Sequence, residues 1–129
     1  MRLLAGIVAA LAAYAGGSTA FNVNCNSNYA SYYGQNSARN QKTLGEYCKD
    51  AIEDVIILAF MNGFPTVMLN FANACETTFN GSTVLHCPNI AKDIKTCQAN
   101  GKAVILSMGG AAGSYGFASD SDGTKFADT

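Results

Sequence analysis

The sequence predicts an α/β fold built on parallel strands, and three observations carry that reading. Residues 55–61 form a continuous apolar run without period-two alternation. A strand covered on both faces looks like this, and such strands belong mostly to parallel sheets. Residues 89–100 place Ile90, Ile94 and Cys97 at helical spacing. The elements alternate as β-α-β-α-β, an order that implies parallel strands joined by right-handed crossovers.

Residues 1–20 read as an export leader. Arg2 gives one positive charge, residues 3–14 are almost wholly apolar, and residues 15–20 are small, the order of a secretory signal. The apolar stretch is shorter than the roughly 20 residues of a membrane span. Cleavage is expected before Phe21, leaving residues 21–129 as one domain with no membrane attachment. The product is expected outside the cell or in the cell wall.

Residues 21–28 are polar and aperiodic and form a lead-in. Residues 29–33 make a short aromatic strand that stops at Gly34-Gln35-Asn36. Thr43-Leu44-Gly45-Glu46 fits a capping box, and Leu44, Tyr47, Cys48 and Ala51 keep helical spacing to about Ile52. The central strand, 55–61, ends at Asn62-Gly63. Residues 62–88 are a long connection, of the kind that is functional or stapled. Asn89 is placed to cap the second helix and Gly101 to end it. Residues 102–108 are the third strand, closed by Gly109-Gly110. A Gly/Ser/Ala-rich loop over 109–123 leads to a third helix near Thr124.

Composition removes several function classes. The 129 residues are 49% hydrophobic and 13% charged, which argues against disorder. Eight basic residues against nine acidic ones leave no surplus to neutralise phosphates, so no nucleic-acid partner is expected. The five cysteines lie beyond the leader and lack C-x-x-C spacing, which disfavours zinc and dithiol redox sites. In an oxidising compartment they should pair, with one left free, intermolecular or missing its partner. Asn80-Gly81-Ser82 is a glycosylation sequon between Cys75 and Cys87, expected on a surface loop. The single histidine, His86, and the lack of a G-x-S-x-G elbow disfavour Ser-His-Asp hydrolysis. No metal and no cofactor is expected.

Three strand ends carry the functional signal: Tyr32-Tyr33-Gly34-Gln35-Asn36, Phe60-Met61-Asn62, and Ser107-Met108-Gly109-Gly110 followed by Gly113-Ser114-Tyr115. In that order and spacing, over residues 28–126, they resemble the first three strands of a family 18 glycoside hydrolase of the class III, fungal/plant chitinase type. The resemblance implies a partial TIM (β/α)8 barrel whose chemistry sits at the carboxyl ends of its strands. It implies chitin or a chitooligosaccharide as substrate and a monomer at full length. It implies a groove lined by Tyr32, Gln35, Phe60, Asn70, Ala111 and Ala112. It also implies the disulfides Cys48–Cys97 and Cys75–Cys87, with Cys25 left over. The residue chemistry agrees. Tyr32, Phe60 and Tyr115 offer flat apolar faces to sugar C–H surfaces, and Gln35, Asn62 and Asn70 can hydrogen-bond hydroxyls or an N-acetyl amide. The plainer alternative makes each aromatic a core residue and each Asn a turn residue.

In the family resembled, a D-x-x-D-x-D-x-E signature ends strand four. Its Glu is the general acid, and the substrate's own N-acetyl group attacks the anomeric carbon, an exception to the two-carboxylate scheme. These 129 residues lack that signature. Asp120-Ser121-Asp122 reads as helix capping, Glu53-Asp54 precedes the second strand on the face opposite the expected site, and Glu46 is committed to its cap. A whole barrel takes about 250 residues, so the sequence reads as an N-terminal portion truncated before strand four, without hydrolytic activity by itself. Two other classes fit less well. A nucleotide-binding α/β domain would use Gly109-Gly110-Ala111-Ala112-Gly113 as its phosphate loop, but lacks the P-loop lysine and a ribose-binding carboxylate after the second strand. A non-catalytic chitin-binding remnant would keep the groove without the acid.

Overall fold

The computed structural model describes residues 20–50 and 52–128. The expected leader lies outside them, apart from Ala20. In chain order the elements are β1 (Ala30–Tyr33), α1 (Leu44–Tyr47), β2 (Val55–Phe64), β3 (Met68–Leu69), a 3-10 turn (Ala72–Ala74), α2 (Pro88–Ala99), β4 (Ala103–Met108), β5 (Ser114–Tyr115) and α3 (Asp120–Ala127). They form a mixed α/β arrangement on one sheet of five strands centred on β2. The three expected strands are parallel and adjacent: Tyr33 lies beside Leu58, and Leu58 beside Leu106.

One face of this sheet holds the core. Tyr33, Ile56 and Leu58 pack with Leu44 and Cys48 of the α1 segment, Phe71, and Ile90 and Cys97 of α2. Each such aliphatic side chain taken fully from water contributes about 1.5–3 kcal/mol. The central run was expected to be covered on both faces; Ile56, Leu58 and Ala59 are buried and Val55 and Ile57 half-buried, while Ile105 and Leu106 on the neighbouring β4 stay 49% and 42% exposed. No described helix is long and apolar enough to cross a membrane.

The capping box forms as expected. The Thr43 N–H and hydroxyl both donate to Glu46 Oε2, at 3.0 and 2.9 Å. These bonds, the backbone one foremost, hold the Glu46 carboxyl below its ordinary range. The helix then stops after one turn instead of reaching Ile52, which is 63% exposed. The carbonyls of the following segment find partners elsewhere. Asn100 Nδ2 donates to the Cys48 carbonyl at 3.2 Å. The buried Lys102 ammonium donates to the carbonyls of Asp50 and Glu53. Lys102, read from sequence as the start of a strand, is thus a buried clamp just before β4.

Other boundaries also move. β2 runs through Asn62-Gly63 to Phe64, because Gly63 and Phe64 pair with β5 and Gly63 with Met68 of β3. The long connection therefore carries structure: β3, the 3-10 turn and a bridge between Thr78 and Leu85. α2 begins at Pro88, with Cys87 rather than Asn89 at its cap, since Pro suits the first helical turn. Gly101 ends it at φ +77°, as expected. α3 starts at Asp120, four residues before Thr124. Ser119 caps it by accepting the Asp122 N–H, and Asp122 Oδ2 accepts the Ala118 N–H at 3.1 Å. Both disulfides form: Cys48–Cys97 joins the α1 segment to α2, and Cys75–Cys87 closes the connection. Cys25 is free and exposed, its thiol pushed down chiefly by its hydrogen bond to Ser27.

Candidate functional site

Parallel pairing puts the carboxyl ends of β1, β2 and β4 side by side. Tyr32 pairs in register with Ile57, so its ring stands on the sheet face opposite Ile56 and Leu58. Strict alternation would send Phe60 to the Ile56/Leu58 face instead. A register shift prevents this: Ala59 pairs with Ser107 but Met61 pairs with Met108, leaving Phe60 as the extra residue of a bulge. Bulges re-aim side chains in this way. The Phe60 ring centroid lies 5.9 Å from that of Tyr32, at 43°. The Ala59–Phe60 peptide is cis. Tyr32 is 63% exposed, so the pair presents aromatic surface to solvent.

Glycine makes room on either side. A Cβ on Gly110 would stand 3.2 Å from the Phe60 ring, and Gly110 takes φ +100°, a conformation that favours glycine. Gly34, at φ +108°, lets the β1 end approach β2; a Cβ there would lie 2.7 Å from the Ala59 carbonyl oxygen. Phe60 and Asn70 exchange both backbone hydrogen bonds, at 2.8 and 2.9 Å. Gln35 Nε2 donates to the carbonyls of Gly34, Ala59 and Asn70, at 3.0, 2.9 and 2.9 Å.

The carboxylates are dispersed, and one of them, Glu53, expected on the opposite face, shares a cavity with Tyr32. Asp120 and Asp122 occupy the first turn of α3. Asp54 accepts the Tyr29 N–H at 2.8 Å, before β2 begins. Glu53 lines a cavity of about 160 Å³ with Ser31, Tyr32, Tyr33 and Tyr47, and its Oε2 is buried without a partner. Glu76 shares a polar cavity of about 350 Å³ with Arg39 and Lys42. Among the described residues no group of three or more His, Cys, Asp or Glu is arranged to hold a metal ion.

The curated proteins similar to this chain include several chitinases, and its structural neighbours include a chitinase and inhibitor proteins. Chitinase 1 of Candida albicans is 52% identical over 103 residues, covering 80% of this chain and 22% of that protein. The chain is a chitinase homologue. The ICChI chitinase from Ipomoea carnea matches its structure with a TM-score of 0.65 at 28% identity, over 77% of this chain and 35% of that one. A xylanase-alpha-amylase inhibitor protein, XAIP-I, solved with trehalose, matches with a TM-score of 0.62 at 29% identity, over 81% of this chain and 35% of that one. No family model matches. The chain spans about a fifth of the length of Chitinase 1 and 36% of that of Endochitinase 33 of Trichoderma harzianum.

In this chitinase homologue the expected lining residues divide by role. Tyr32 and Phe60 meet, as two faces of one rim. Asn70 sits beside Phe60 through its backbone, but its Oδ1 accepts the Ala72 N–H at 2.8 Å, so its side chain shapes a turn as well. Ala111 and Ala112 are exposed on the turn after β4. Gln35, expected as a ligand for hydroxyls, has its amide nitrogen fully engaged with backbone carbonyls. Tyr115, offered as a sugar face, stacks on Phe64 at 5.4 Å and 16° and donates to the Gly110 carbonyl at 3.1 Å. It belongs to an aromatic cluster with Phe117 and Phe126. The bulge at Phe60 was not readable from the sequence; it arises in the pairing of β2 with β4.

Proposed function

We propose that this chain forms one wall of the sugar-binding groove of a secreted, family 18 chitinase-type glycoside hydrolase acting on β-1,4-linked N-acetylglucosamine. The observation that carries the proposal is the Tyr32–Phe60 pair at adjacent parallel strand ends, in a chain 52% identical to Chitinase 1 over 103 residues. Tyr32 and Phe60 would stack on sugar faces, with the exposed Ala111-Ala112 turn bounding the groove and Asn70 bordering it. Gln35 would hold the rim in shape. In this reading residues 1–20 are the export leader, residues 21–129 supply the first three parallel strands of a TIM barrel, and the full-length protein is a monomer.

Hydrolysis would follow the substrate-assisted route, in which the N-acetyl oxygen attacks the anomeric carbon while a general acid protonates the leaving oxygen. The 129 residues lack the D-x-x-D-x-D-x-E signature, so they are expected to bind chitooligosaccharide weakly and leave it uncut. The test uses soluble chitotetraose and chitin beads. Retention on beads without released sugar is the expected outcome; turnover by the purified 129-residue chain would overturn it. A second reading, a carbohydrate-binding scaffold without catalysis, is favoured by the likeness to XAIP-I. It gains if the longest in-frame product also binds beads and releases nothing.

A further inference from the structure

We propose that Asn80 is an N-glycosylation site, presented on a stapled turn on the sheet face away from the Tyr32–Phe60 rim. Asn80-Gly81-Ser82 is the single N-x-S/T triplet in the 129 residues. The structure adds what a sequon alone cannot. Ser82 N–H donates to the Phe79 carbonyl at 3.0 Å, closing a four-residue turn with Asn80 and Gly81 at its centre. Gly81 takes φ +70°, and positive φ outside glycine is confined, among the described residues, to Arg39 and Ala72. That combination is a type II turn with glycine at its required position.

The turn projects into open space. A Cβ added to Gly81 would meet nothing within 4 Å. Asn80 is exposed, and its amide makes no hydrogen bond to another described residue. Two strands of backbone support the tip: Phe79 N–H donates to Val84 at 3.1 Å, His86 N–H donates to Thr77 at 2.7 Å, and Thr78 bridges Leu85. The Cys75–Cys87 bond closes the base. Phe79 and Leu85, flanking the tip, line a cavity of about 530 Å³ with Leu58, Ile90 and Leu106. Leu58 and Leu106 are paired on the helix-facing side of the sheet and Ile90 belongs to α2, whereas Tyr32 stands on the other side. A glycan on Asn80 therefore extends away from the rim and leaves it open.

The donor is an oligosaccharide linked to a membrane polyprenol through diphosphate. The Asn80 Nδ2 forms a bond to the anomeric carbon, the carbon–oxygen bond to diphosphate breaks, the lipid diphosphate leaves with the electron pair, and one amide proton goes to solvent or base. This requires passage through a secretory compartment, so the proposal rests on the export reading above.

The test is secretion of the full chain from a eukaryotic host, first with its own residues 1–20 and in parallel behind a leader of proven function. Peptide mapping after enzymatic glycan removal in heavy-oxygen water should find Asn80 converted to labelled aspartate in most secreted molecules. Asn80→Gln and Ser82→Ala should each abolish the conversion and the associated mass increment, while Asn73→Gln leaves both unchanged. Secreted chain with an unmodified Asn80, behind either leader, overturns the site. Export behind the substitute leader alone refutes the leader reading and leaves the site to be judged on that product.

Discussion

The two disulfides should differ in worth, and the difference can be worked from the chain. Cys48–Cys97 spans 49 residues and Cys75–Cys87 spans 12. Loop-closure entropy in the unfolded chain gives about 4 kcal/mol for the longer loop and about 3 kcal/mol for the shorter, a gap of about 1.2 kcal/mol. Burial widens the gap. Cys48 and Cys97 are 1% and 0% exposed within the core, whereas Cys75 and Cys87 are half-buried at its edge. Paired alanine substitutions at 48 and 97 thus also leave a core defect. Urea unfolding at equal protein concentration measures both variants. With a slope of about 1–3 kcal/mol per M, losing the longer bridge should lower the midpoint by about 1.3–4 M and the shorter by about 1–3 M, the longer always by more at a given slope. A larger loss from the 75/87 pair than from the 48/97 pair would refute the argument, because loop length and burial both point the other way.

Other outcomes follow from single sites. Gly34→Ala adds about 1–2 kcal/mol for the left-handed backbone plus a contact 2.7 Å from the Ala59 oxygen; thermal unfolding should show a loss clearly above that of Gly81→Ala, where the space is open. Tyr32→Ala should leave stability within about 0.5 kcal/mol, its side chain being exposed, and should weaken chitotetraose binding by about 1 kcal/mol, or about fivefold, by calorimetry. The Glu46 carboxyl is held down in the folded state, so its contribution is complete above the unfolded-state value and fades as pH falls through the lower folded value. Protection of the Thr43 amide, taken relative to its intrinsic exchange rate, should fall in that acidic window, and Glu46→Gln should remove this loss of protection.

Much of the frame was legible because local signals and global pairing agreed. The apolar run of β2, the Thr43–Glu46 box and Gly101 each specify what they form. The misreadings came where a partner distant in sequence decided the outcome. Asn62-Gly63 has turn chemistry, yet β3 and β5 pair with the chain there and carry β2 on to Phe64. Those partners are two residues long, too short for any periodicity to announce. The helix after Thr43 had apolar spacing to continue, but Lys102 and Asn100 capture the carbonyls that would have extended it. At the site, the strand-end motifs were readable, while the roles within them were not. Alternation alone would have buried Phe60 with Leu58, and an amide at a strand end looks like a ligand until its acceptors are seen.

The Gln35 side chain has a consequence for anyone redesigning this surface. Its single amide group ties the end of β1 to strand β2 at Ala59 and to the connection at Asn70, like a keystone. In the proposed groove, Gln35→Ala would loosen the surrounding masonry rather than remove a sugar contact.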